Sequence, residues 1–123
     1  MTLRPALSSI DQRMMGKRVV IEVTLTAGHG RFVGRSEGDG DPAHRFRLVG
    51  EATLKAVKAL VPEMQLDLNA VGTSDLGQLR IALAQVRENG RDLVGSALIL
   101  GGDPVVATAK AVLDALNRRL ARA

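Results

Sequence analysis

At 123 residues the chain has the size of one domain, long enough for a sizeable core and too short for two. Apolar residues make up 46%, yet Phe32 and Phe46 are the only aromatics and Cys, Trp and Tyr are absent, so the core has to be aliphatic, and disulfides, thiolate catalysis and most zinc chemistry are excluded. A net charge of +4 and an isoelectric point near 10.3 raise nucleic-acid binding, but the basic residues at the two ends (Arg13, Lys17, Arg18; Arg118, Arg119, Arg122) form no long run and lack stacking aromatics.

The N-terminal MTLRPALSSIDQR has no apolar stretch behind its first charge, so neither a signal peptide nor a membrane span is expected, and the reading is a soluble cytoplasmic protein. Residues 17–26, KRVVIEVTLT, alternate Val19, Ile21, Val23 and Leu25 with other residues, the period of a strand with one buried face. AGHG is a turn and residues 31–36 the returning strand of a hairpin. After EGDGDP a helix is predicted over residues 42–60, with Phe46, Val49, Thr53, Val57 and Leu60 in one stripe and Pro62 beyond its end. Gly50 inside it is a weak point or a close-packing position.

The second half follows the same plan. Residues 64–71 alternate Met64, Leu66, Leu68 and Ala70 with polar residues, GTSDLG is a turn, and residues 78–87 alternate Leu79, Ile81, Leu83 and Gln85. Glu88-Asn89-Gly90 is a hairpin turn, because Asn-Gly supplies the positive φ a tight connection needs. Residues 93–100 are apolar and nearly continuous, which predicts a buried strand. A Gly-Gly-Asp-Pro corner then opens a helix whose Val105, Ala109, Val112, Leu113, Leu116 and Leu120 recur at spacings of three and four, with Lys110, Asp114, Asn117 and Arg118 opposite.

The two halves align as a repeat. VVIEVTL at Val19 lies over LRIALAQ at Leu79 with a shift of 60, RFVG over DLVG with a shift of 61, and ATLKAVKAL over AVLDALNRR with a shift of 59. Repeat one covers about residues 4–61 and repeat two about 64–121. A complete duplication makes Ala6 to Arg13 a strand, although SSIDQR suits a helix start equally well. The implied fold class is α+β: duplicated βββα units with a pseudo-two-fold, an antiparallel sheet and two helices on one face. A sheet with one uncovered face calls for a second copy, so a homodimer is expected.

The run AVGTSDLGQLRIAL, the hairpin after it, and GGDPVVATAKAVLDALNRRL together resemble the C-terminal regulatory domain of 2-isopropylmalate synthase and citramalate synthase. Asp75 and Gly77 match its turn, Asp103 its corner Asp, Ala107, Thr108, Ala109, Lys110 and Ala111 its helix motif, and Asn117 a late Asn. The first corner departs from the family pattern by an inserted Asp. The resemblance implies a duplicated βββα fold, dimerisation, an amino-acid or keto-acid effector of leucine biosynthesis held near the corners, and a separate enzyme as partner, since the family's catalytic barrel has no counterpart here.

The corners are also the best candidates on physical grounds. Gly38, Asp39, Gly40, Asp41 and Pro42 open one helix, and Gly101, Gly102, Asp103, Pro104 and Val105 the other. Each helix start offers free amides and the positive end of a dipole to a carboxylate or phosphate. The alternative is that Asp41 and Asp103 cap their own helices and fill those amides themselves. Glu37, Asp39 and Asp41 alternate like calcium ligands, but Leu48 stands where a closing Glu is needed, so an EF-hand fails. His29 and His44 have no partner at a metal-site spacing. No serine sits in a nucleophile motif. The expectation is a non-enzymatic ligand-binding or regulatory domain without cofactor, metal or membrane partner. The alternatives are a structural interaction module and a weak nucleic-acid binder using the basic ends.

Overall fold

The computed structural model describes residues 4–120. Strands β1 (Ala6–Met15), β2 (Arg18–Ala27) and β3 (Gly30–Asp39) form an antiparallel meander followed by helix α1 (Pro42–Leu60). Strands β4 (Leu66–Leu76), β5 (Leu79–Glu88) and β6 (Arg91–Leu98) form a second one, followed by α2 (Pro104–Leu120). The chain is therefore α+β with duplicated βββα units, and the segment with two readings is strand β1. The strands divide into two separate three-stranded sheets. Helix α1 packs on β2 and β3 and also reaches α2 and β4, while α2 packs on β5 and β6 and touches β1. The two helices thus form an inner layer between the sheets.

In repeat one the inner face is the predicted one. Val19, Ile21, Val23 and Leu25 are fully buried and join Val49 and Val57 of α1 in one aliphatic core that continues into Val86, Val112 and Leu116 of repeat two. Gly50 is a close-packing position: a Cβ there would meet Leu68 Cδ2 at 2.8 Å and Val71 Cγ1 at 3.2 Å. The Asn-Gly hairpin is also as read, with positive φ of 50° and 82° at Asn89 and Gly90.

In repeat two three expectations are corrected. The bulky residues of β5 do not face the core: Ala82, Ala84 and Val86 do, and Leu79, Ile81 and Leu83 point outward. The shift of 60 was one residue short. Val23 pairs with Gly34 and Ala84 with Gly95, so equivalent positions of both strands are 61 apart, and a one-residue slip exchanges the faces of a strand. In both repeats the helix lies directly on the edge strand. A Cβ at Gly95 would collide with the Ala111 carbonyl oxygen and the Ala115 amide, just as one at Gly34 would collide with the Ala52 carbonyl oxygen and the Ala56 amide.

The apolar stretch 93–100 is not a buried strand. Gly95 is buried and Leu93 and Ala97 half-buried, but Val94 is 69% and Leu98 51% exposed, because β6 is an edge strand covered on one face only. Finally, β4 runs through GTSDLG to Leu76 and the reversal is at Gly77 and Gln78. A bulge between Leu68 and Ala70 moves Val71 and Thr73 to the inner face, and β1 has its counterpart between Leu7 and Ser9.

The duplication extends to the edges. Lys55 of α1 donates to the Arg35 carbonyl of β3 (2.9 Å), and at the matching place Asp114 of α2 accepts from the Ser96 amide of β6 (2.9 Å). Each helix thereby occupies a backbone group of its sheet's edge strand.

Candidate functional site

Both corners are set by local chain chemistry. Gly38 and Asp39 end β3, and the Gly40 amide donates to the Lys17 carbonyl at 2.8 Å, fixing the exit of the strand. Asp41 is the N-cap of α1: its Oδ1 accepts from the His44 amide at 3.0 Å, and Pro42 takes the first turn, where a missing N–H costs nothing. At the second corner Gly101 and Gly102 have φ of 71° and 80°, a conformation glycine enters without strain. There Asp103 Oδ1 accepts from the Val105 amide at 3.0 Å. The capping alternative is therefore realised at both corners. Each Asp places its own carboxylate on one amide of its helix start.

His44 adds a contact not foreseen from spacing. Its Nδ1 lies 2.6 Å from Asp41 Oδ2. The hydrogen bond raises the His44 pKa above 6.5, and the hydrogen bonds from the His44 amide and ring hold Asp41 below the ordinary carboxylate value of 3.8. Asp39, Asp41 and His44 can each bring a ligand atom within 4.8 Å of the others, all three exposed. Both Asp41 oxygens are already occupied by His44, and Asp39 Oδ1 accepts from the Asp41 amide at 3.0 Å.

A cavity lies between the helix starts. A groove of about 530 Å³ is lined by Ala43 and Phe46 of α1, Pro104 and Thr108 of α2, the Val71 to Thr73 segment of β4 and Arg80 of β5. Its volume is that of small-molecule sites. Of the ten sequence-predicted residues only Pro104 lines it; the others flank it in the chain. The walls are mostly apolar, and the Thr108 hydroxyl is spent on the Pro104 carbonyl at 2.7 Å. Arg80 is the single charged lining residue. Its only ion pair among the described residues is with Asp75, 3.9 Å away, and both side chains are more than half exposed, so its guanidinium remains available to an anion.

Neither Arg80 nor Phe46 is marked as a site residue by the sequence. Phe46 was assigned to the core stripe of its helix, and Arg80 carried no motif. Only the correct register, which puts Arg80 on the inner face beside Asp75, would have directed attention to it. The basic ends are partly neutralised: Arg18 lies 3.5 Å from Glu37 and Arg119 3.0 Å from Glu88, while Arg122 falls outside the described residues. Among the described residues no helix is long and apolar enough to cross a membrane. No protein-family model matches the chain, and no curated protein is significantly similar to it.

Proposed function

We propose that the chain is a regulatory domain of the cytoplasm that binds a small amino or keto acid, acts as a homodimer and conveys occupancy to an enzyme. In this reading it resembles the amino-acid-sensing domain of 2-isopropylmalate synthase. The observation that carries it is the groove between the two helix starts. Both repeats contribute walls, so a ligand there would bridge the two units and favour one relative placement of α1 and α2. The apolar lining suits a short aliphatic side chain, and Arg80 suits a carboxylate.

The test is thermal unfolding with leucine, valine, isoleucine and their 2-keto acids. A ligand that binds only the folded protein stabilises it by about 2.7 kcal/mol at a hundred times its Kd, and Arg80→Gln should abolish the shift. If none of these acids shifts the melting temperature, or if Arg80→Gln leaves the shift intact, the ligand reading fails. A second reading, an interaction module without a small ligand, is favoured by one observation: the exposed aliphatic face of the β4–β6 sheet.

A further inference from the structure

The two sheets turn very different outer faces to their surroundings. On the β1–β3 sheet that face is mainly charged, carrying Arg18, Glu22, Arg35, Glu37 and Asp39 beside Met15, Val20 and Val33, with Arg18 opposite Asp39 and Glu22 opposite Arg35 by register. On the β4–β6 sheet the same face carries Leu76, Leu79, Ile81, Leu83, Val94 and Leu98, with Leu76 65% and Val94 69% exposed, and is bounded at one end by the Arg87–Asp92 ion pair. Leu100 extends the patch, 79% exposed, because the Ile99 amide still pairs with the Arg80 carbonyl at 2.9 Å. Contiguous exposed aliphatics on a sheet mark an interaction surface, and the charged twin serves as an internal control for what a solvated outer face looks like in this fold.

We propose that this face is where a second copy of the chain docks, sheet on sheet, about a two-fold axis running along β5. The register supplies the argument. Ala70, Gln85 and Val94 share one level across the sheet; Gly72, Leu83 and Ser96 the next; Ser74, Ile81 and Leu98 the third. The β4 side is thus a hollow of small residues, and the β6 side is a ridge bearing Val94 and Leu98. An axis along β5 lays the ridge of each copy into the hollow of the other: Val94 over Ala70, Ser96 over Gly72 and Leu98 over Ser74, with Ile81 and Leu83 meeting their own counterparts. An axis across the strands would set ridge on ridge and leave the hollows empty, and voids and overpacking both cost stability. Aligned sheet packing about 10 Å apart, crossed by about 30°, accommodates this pairing at its centre.

The size of the face sets the strength. Three strands about 4.8 Å apart and about ten residues long give a footprint of about 480 Å² per copy, less than the roughly 800 Å² per partner of a standard stable interface. The dimer therefore dissociates on dilution. This inference rests on the dimeric part of the function proposed above and is independent of its ligand.

Sedimentation velocity from low to several hundred micromolar protein tests it. The wild type should shift from monomer to dimer mass. Val94→Asp and Leu98→Asp should weaken association at least tenfold while keeping the circular dichroism of the folded chain, since both sites are exposed. Val33→Asp, on the outer face of the other sheet, should associate as the wild type does. The chain has no cysteine, so Leu83→Cys with a short bis-maleimide should give a covalent dimer, and Glu22→Cys on the central strand of the other sheet should not. A wild type that stays monomeric throughout refutes the dimer and this surface together. A dimer that survives Val94→Asp and Leu98→Asp refutes the surface alone, and a dimer lost in those variants but not cross-linked through Leu83→Cys refutes the axis.

Discussion

The contact between each helix and its edge strand leaves no room for a single carbon, and this gives a quantitative test of the fold. In Gly95→Ala the new Cβ would strike the Ala111 carbonyl oxygen and the Ala115 amide and approach Ala115 Cα to 2.8 Å. Carbon atoms settle at about 3.5–4.0 Å, so α2 has to lift by roughly an ångström. The obstructing atoms are backbone, held in the helix's own hydrogen-bond ladder, and cannot turn aside as a side chain can. Overpacking a core costs about 1–3 kcal/mol, and this rigid case belongs at the top, about 3 kcal/mol of the 5–15 typical of a domain. Gly34→Ala, which meets Ala52, Lys55 and Ala56 in the same way, should cost as much. Gly38→Ala is the control: its Cβ meets only the Leu48 methyl groups, at 3.1 and 3.2 Å, and should cost less than about 1 kcal/mol. Without Trp or Tyr, urea unfolding is best followed by far-ultraviolet circular dichroism. Values within 0.5 kcal/mol of wild type for Gly34→Ala and Gly95→Ala would refute the close approach of helix to sheet.

Three further outcomes are expected. The Glu88 side chain is 3% exposed and is held by Arg119, Nε to Oε1 at 3.0 Å and a hydrogen bond from Nη2 to Oε2 at 3.2 Å. Arg119→Met should therefore cost about 2–3 kcal/mol, below the 3–5 of a fully buried pair because Arg119 is 37% exposed, and Glu88→Gln in the same chain should recover much of it in chemical unfolding. His44 should titrate in NMR above 6.5 and fall back toward it in Asp41→Asn. Because its folded pKa is raised, its stabilising contribution is complete below 6.5 and fades as pH rises through the folded value, whereas that of Asp41, whose pKa is lowered, is complete above 3.8 and is lost on acidification. The core is one continuous cluster drawn from both repeats, so a fragment of residues 62–120 should not melt cooperatively as a monomer; one that does would mean each unit has a core of its own.

Much of this was legible in the chain. Repeat one was readable because β2 obeys a strict period of two, with Val19, Ile21, Val23 and Leu25 inward. The helices were readable from their apolar stripes and Asp-Pro starts, and α1 was expected to span 42–60 and does. In repeat two bulk does not mark the inner face. Its inner residues are Ala82, Ala84 and Gly95, the last directly beneath α2, and its bulky residues lie on the outer face. Matching Ile21 to Ile81 by resemblance then exchanged the faces. The bulge at Asn69 was equally silent, since nothing local marks it: Arg47 of α1, distant in sequence, donates to the Leu68 and Asn69 carbonyls beside it at 3.0 and 3.2 Å. The groove was legible only as two corners facing one another. Its cation belongs to neither corner, and its position depends on a strand register that the hydrophobic pattern obscured.

The two repeats share the features that seat each helix on its sheet, although the inner residues of the central strands differ, Val19, Ile21, Val23 and Leu25 in one and Arg80, Ala82, Ala84 and Val86 in the other. The glycine under each helix, the Asp cap, the bulge in the first strand and the tie from helix to edge strand occur twice. The tie recurs with its polarity reversed, Lys55 donating where Asp114 accepts. The outer faces are free of that constraint, and they have separated into one charged and one aliphatic. This asymmetry has a consequence for assembly. Two aliphatic outer faces on one chain would let each copy bind on both sides and stack without limit, because only an interface that pairs a patch with itself closes at two. With one aliphatic face per chain, the docking proposed above would use that face up in both copies and leave the charged sheets outside. On that proposal, divergence of the duplicated units would turn a molecule with the makings of a fibre into one that can stop at a dimer.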